Sequence, residues 1–121
     1  MQKTKKDEMK NLAPAICRQR LVIEAIPAKP VTDLQIKGYL TKLSEQLKMK
    51  TLIEPVTHRS DLFGWAGWIH WETSGAHFYA WETPKLFMSV DIYTCKEFKE
   101  SVAVDFTKEY FKTSEIVSKG F

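Results

Sequence analysis

Three apolar, aromatic-rich runs, 65–71, 76–81 and 86–93, follow one another with only short turn-like segments at 73–75 and 82–85 between them. Separators this short leave no room for a crossover helix, so consecutive runs must pair as antiparallel strands in a meander. Trp, Phe and Tyr occur at both odd and even positions of these runs, so neither face of the resulting sheet is suited to water. The stretch from Gly64 to Cys95 holds all four tryptophans, two of the three histidines and one of the two cysteines.

The flanking chain supplies the cover. Residues 20–26, RLVIEAI, alternate as a strand and are closed by Pro27 and Pro30. Thr32 or Asp33 is a helix N-cap, followed by Leu34, Ile36, Tyr39, Leu40, Leu43 and Leu47 at helical spacing as far as Lys48. Residues 51–58 form the next strand, with Pro55 marking an edge or a bulge, and 59–63 is polar enough for a loop. Residues 96–111 place Phe98, Val102, Phe106 and Tyr110 on one helical stripe, and 114–117 is a short last strand. The order predicts an α+β two-layer sandwich, an antiparallel sheet with two helices packed on one face. The uncovered aromatic face predicts a homodimer or a larger assembly.

A chain of 121 residues can build one hydrophobic core, so residues 19–121 read as a single domain behind a polar lead-in, 1–18, in which Pro14 interrupts any helix. A net charge of +3, with several lysines in the first ten residues and no basic stripe elsewhere, gives no ground for nucleic-acid binding. The apolar runs are too short to span a bilayer, and the polar start lacks a signal-like apolar core, so the expectation is a cytoplasmic protein with no membrane partner. Cys17 and Cys95 are too few for a disulfide framework and lack zinc-ligand spacing, and the histidines are not spaced as metal ligands. No metal is expected.

Ser74 lies between Thr73 and Gly75 at the centre of the meander, where a serine is either a turn former or a nucleophile whose neighbouring glycine permits close approach. It lacks the Gly-x-Ser-x-Gly elbow of an esterase. His70 and His77 flank it and, with His58, are either satisfied strand histidines or acid-base groups. Glu72 and Glu82 bracket the second aromatic run and could meet across a hairpin. Trp65, Trp68, Trp71, Phe78, Tyr79 and Trp81 are core or interface residues, or a stacking surface for a ligand.

Five strings within these elements, RLVIEA (20–25), PVTH (55–58), FGWAG (63–67), ETSGAHFYAW (72–81) and above all VDIYTC (90–95), resemble the prokaryotic S-adenosylmethionine decarboxylase proenzymes, pyruvoyl-dependent enzymes of spermidine and other polyamine synthesis. The resemblance covers nearly all of residues 19–117. It implies a two-layer α/β domain that dimerises and cuts its own chain between Thr73 and Ser74. The Ser74 hydroxyl attacks the preceding carbonyl, the ester eliminates, and the new N-terminus becomes a pyruvoyl group that forms a Schiff base with the amine of S-adenosylmethionine or a related amino acid. Cys95 falls on the thiol that protonates the product. Glu72 and His77 fall beside the family's processing positions, and Trp65, Tyr79 and Trp81 would stack on the adenine or sulfonium end of the substrate. The resemblance also implies differences. The family's glutamate before its serine is Thr73, the histidine after it is Gly75, a processing serine is Ala66 and a processing histidine is Tyr79, and one residue is inserted between Trp81 and Val90. The alternatives are an unprocessed, non-catalytic homologue that binds a ligand or protein partner, and a decarboxylase acting on arginine or ornithine.

Overall fold

The computed structural model describes residues 9–121, so the Lys-rich start of the lead-in, 1–8, lies outside the described residues. Residues 9–18 form no helix or strand. The elements that follow are β1 (Gln19–Ile26), α1 (Asp33–Gln46), β2 (Thr51–Ser60), β3 (Gly64–Trp71), β4 (Ser74–Trp81), β5 (Phe87–Thr94), α2 (Glu100–Phe111) and β6 (Glu115–Gly120). The six strands form one antiparallel sheet in the order β2-β3-β4-β5-β1-β6. Both helices pack on the same face, as the order of elements predicts.

Parity divides the sheet sharply. Leu21 and Ile23 of β1, Ile69 and Trp71 of β3, Ala76 and Phe78 of β4, and Val90 and Ile92 of β5 are buried beneath the helices with Ile36, Tyr39, Leu40 and Leu43 of α1. The alternate residues face the other way, and Val56, Tyr79, Tyr93 and Val117 there stay exposed. Tyr39 joins the layers: its ring meets Phe78, Phe106, Tyr110 and Phe111, and its hydroxyl lies 2.6 Å from Thr107 Oγ1. Thr107 donates its own proton to the Ala103 carbonyl at 2.7 Å, so Tyr39 is the donor of the pair.

Several boundaries differ from those read in the sequence, each for a local reason. Thr32 caps α1 through a reciprocal box with Gln35, but Leu34 faces water and is not part of the buried stripe. The helix stops before Leu47 because Lys48 takes a left-handed conformation, φ 57°. β2 extends through Arg59 and Ser60; it is an edge strand with register shifts between Thr51 and Val56, where Pro55 suggested them. α2 begins at Glu100 and not at 96, because the Thr94 hydroxyl accepts the Lys96 N–H and holds residues 94–96 in a turn. Its fully buried stripe is Ala103, Thr107 and Phe111, one residue round from the predicted one; Val102, Phe106 and Tyr110 are partly buried beside it. The last strand runs to Gly120, longer than 114–117. Among the described residues no helix is long and apolar enough to cross a membrane.

Candidate active site

The β3–β4 connection is a two-residue hairpin loop, Glu72 and Thr73, with Trp71 paired to Ser74. Ser74 thus opens strand β4, where the sequence suggested a turn residue. It does so at φ 125°, a conformation rare for any residue with a side chain and one that stores roughly 1–3 kcal/mol. Its other neighbour in register is Thr94 of β5, so Trp71, Ser74, Thr94 and Gln19 form one row across four strands at this end of the sheet.

Two anchors fix the row. The indole N–H of Trp71 donates to Ser44 Oγ of α1 at 2.7 Å, and Ser44 donates on to the Leu40 carbonyl. Gly75 allows β3 to lie close: a Cβ there would stand 2.4 Å from the Ile69 carbonyl oxygen. On the far side of the loop, the Thr73 carbonyl oxygen accepts the Cys95 N–H at 2.9 Å, and Cys95 Sγ lies 3.5 Å from the same oxygen. The Thr73 hydroxyl reaches Met49 Sδ at 3.4 Å. The carbonyl that a Ser74 nucleophile would attack is therefore already polarised by the residue that the sequence singled out as a thiol donor. Beyond Gln19 a cavity of about 430 Å³ is lined by Gln19, Glu97, Phe98 and Lys99, with Gln19 and Phe98 locked by two mutual hydrogen bonds.

The other candidates are distributed differently from the expectation. Glu72 points into solvent and meets Lys50 at 3.4 Å, while Glu82 is at the opposite end of β4, where Arg59 holds its carboxyl below the usual carboxylate range through a hydrogen-bonded ion pair at 3.0 Å. The two glutamates do not meet. His77 and Tyr79 share the open face with their rings stacked 6.2 Å apart, as parity predicts, but Ser74 belongs to the helix-face register. Trp81 continues this row beside Tyr79 and Phe87, and seven residues of strand, about 23 Å, separate it from Ser74. Trp65 lies on the opposite face from Tyr79 and Trp81, near the Arg59 guanidinium at 5.8 Å, so the three predicted stacking residues do not form one surface.

Among the residues that the register brings near Ser74, sequence reading did not assign Tyr93. Gly75 lies between His70 and Tyr93 in register, next to Ser74, with His77 two residues further along β4 on the open face. Ala66 and Tyr79 are cross-strand partners, flanked by His58 on β2. Both cysteines are free and exposed, and no group of three His, Cys, Asp or Glu side chains placed to hold a metal occurs among the described residues.

A sequence model of the S-adenosylmethionine decarboxylase family matches residues 22–120. Among solved structures, the adenosylmethionine decarboxylase from Aquifex aeolicus VF5 superposes with a TM-score of 0.72 at 14% identity, over 88% of this chain and 89% of the other. No curated protein sequence matches the chain.

Proposed function

The chain belongs to the S-adenosylmethionine decarboxylase family, and on that premise we propose that it is a self-processing, pyruvoyl-dependent decarboxylase of S-adenosylmethionine that serves polyamine synthesis. The observation that carries this reading is the meeting of Thr73, Ser74 and Cys95 at one hairpin end. The Ser74 hydroxyl attacks the Thr73 carbonyl carbon; the new C–O bond replaces the C–N bond, and the proton passes to the freed Ser74 amine. The Cys95 N–H stands where an oxyanion donor is needed as the carbonyl oxygen takes up charge. The left-handed strain at Ser74 is released when the bond breaks. Loss of the Ser74 α-proton expels the Thr73 carboxylate and leaves a dehydroalanine, which tautomerises to an imine; water then hydrolyses the imine, releasing ammonia and leaving residue 74 as a pyruvoyl group.

That group supplies an electron sink for loss of carbon dioxide from an amine-bearing substrate. The residues present fit it: no side chain at 75 crowds position 74, and the Cys95 thiol, 3.5 Å from the Thr73 oxygen, stands at the same strand end as residue 74, from which it would protonate the product. His70 and His77, on the two strands that meet at the Trp71–Ser74 hairpin, offer aromatic faces to adenine or to a sulfonium. The exposed apolar face would be buried in a homodimer.

Intact mass after incubation tests the reading, with fragments 1–73 and 74–121 expected together with carbon dioxide from carboxyl-labelled S-adenosylmethionine. A chain that stays whole and releases none overturns it. Arginine and ornithine belong in the same substrate panel. One observation favours a second reading, a ligand-binding homologue that never cuts: Ala66 and Tyr79, which face each other across β3 and β4, carry neither the serine nor the histidine of the processing pair. Calorimetric binding of S-adenosylmethionine to the uncut chain would support it.

A further inference from the structure

We propose that Thr94 is the positioning residue that holds Cys95 against the Thr73 carbonyl. The inference deepens the reading of Thr73–Ser74 as a cleavage site and rests on it for its functional meaning. Thr94 is the last residue of β5, wholly buried, and stands opposite Ser74 on one side and Gln19 on the other. A hydroxyl removed from water needs partners, and this one finds them two residues on. It donates to the Lys96 carbonyl at 2.5 Å and accepts the Lys96 N–H at 3.4 Å.

Both bonds span Cys95, which is thereby the middle residue of a turn closed by a side chain. Within that turn the Cys95 N–H and Sγ are both directed at the Thr73 oxygen, at 2.9 and 3.5 Å. Lys96 is tied a second time, its Nζ donating to the Lys48 carbonyl at 2.6 Å just past the end of α1. The turn therefore has one buried fastening, from Thr94, and one exposed fastening, from Lys96. The buried one sets where Cys95 sits, because it ties the backbone of Lys96, the residue after Cys95, to the side chain of Thr94, the residue before it. Valine in place of Thr94 would keep the shape, the burial and the strand preference while leaving both Lys96 backbone groups without this partner. Serine would restore it.

Amide hydrogen exchange at Cys95 reads this directly. In the full chain carrying Ser74→Ala, so that every molecule is uncut, Thr94→Val should speed Cys95 exchange about tenfold or more and leave Val90 and Ile92 unchanged, while Thr94→Ser should stay within about threefold of the parent. Unchanged Cys95 exchange in the valine variant overturns the proposal, as does a serine variant no better than valine. If Thr94→Val does not fold, Thr94→Ala is judged by the same criteria. With Ser74 intact, cleavage should slow about tenfold in Thr94→Val and recover in Thr94→Ser. A parent chain that never cuts would refute the cleavage reading and leave the exchange result to decide the role of Thr94.

Discussion

The backbone N–H of Cys95 donates to the carbonyl oxygen of Thr73 at 2.9 Å, bridging the end of β5 to the loop before β4. Because the donor is main chain and the thiol is side chain, two roles of one residue separate by mutation. Cys95→Ala keeps the N–H and should slow self-cleavage only about threefold to tenfold, the worth of one weak hydrogen bond. Decarboxylation by the cut enzyme, in which the proposed role of the thiol is to protonate the product, should fall about 10²- to 10⁴-fold. Time courses of fragment appearance and of labelled carbon dioxide release measure the two effects independently, and equal losses in both would contradict the division.

Gly75 is required by the distance between two strands. A methyl group at this position would lie 2.4 Å from the Ile69 carbonyl oxygen, a backbone atom that cannot rotate away. Gly75→Ala should therefore destabilise the fold by about 2–3 kcal/mol, as overpacking does, and histidine should be tolerated no better. Urea unfolding checks this; a change under about 0.5 kcal/mol would mean that β3 and β4 part easily.

The strands, the two helices and their single face were legible because alternation and the 3.6-residue period are local properties of the chain. Thr32, Pro55 and the 65–71 and 76–81 runs carry their own signals. The site was legible only in part. Ser74 and Cys95 stand out as residue types, but that Cys95 meets the Thr73 carbonyl depends on the β4–β5 register, which pairs Ser74 with Thr94 across twenty residues of chain. The separation of Trp65 from Tyr79 is a matter of parity within two strands and could have been read; the distance of Trp81 from Ser74 could have been too. The role of Thr94 could not, since nothing in VDIYTC distinguishes a threonine that closes a turn from one that fills a strand.

Burial pushes the Tyr39 phenol well above its ordinary value. The unfolded chain ionises this group near pH 10 and the folded chain does not, so the unfolded state binds fewer protons there and stability falls as pH rises past about 10. Tyr39→Phe should cost about 1 kcal/mol at pH 7, through the lost hydrogen bond. It should also lose less stability than the parent between about pH 10 and 11, where one proton of linkage amounts to about 1.4 kcal/mol per pH unit. Tyr110, raised by partial burial, contributes a residual slope in both proteins. Equal slopes in chemical denaturation across that range would show that Tyr39 is not the linked group.

The open sheet face makes the last prediction. Val56, Tyr79, Tyr93 and Val117 are 41–64% exposed on it, with half-buried Trp68, Trp81 and Phe87 among them and the Arg20–Asp91 ion pair near its centre. Such a surface is larger and more apolar than scattered exposed residues need be, and a second copy offers the same aromatic rows in return. The protein should sediment at twice the chain mass. Tyr79→Asp, which puts a charge between the uncharged cross-strand neighbours Ala66 and Ser89, should raise the dimer dissociation constant at least about a hundredfold, because a buried charge without a partner is strongly unfavourable. A parent chain that sediments as a monomer, or a variant that associates as tightly as the parent, would show that this face is not the interface.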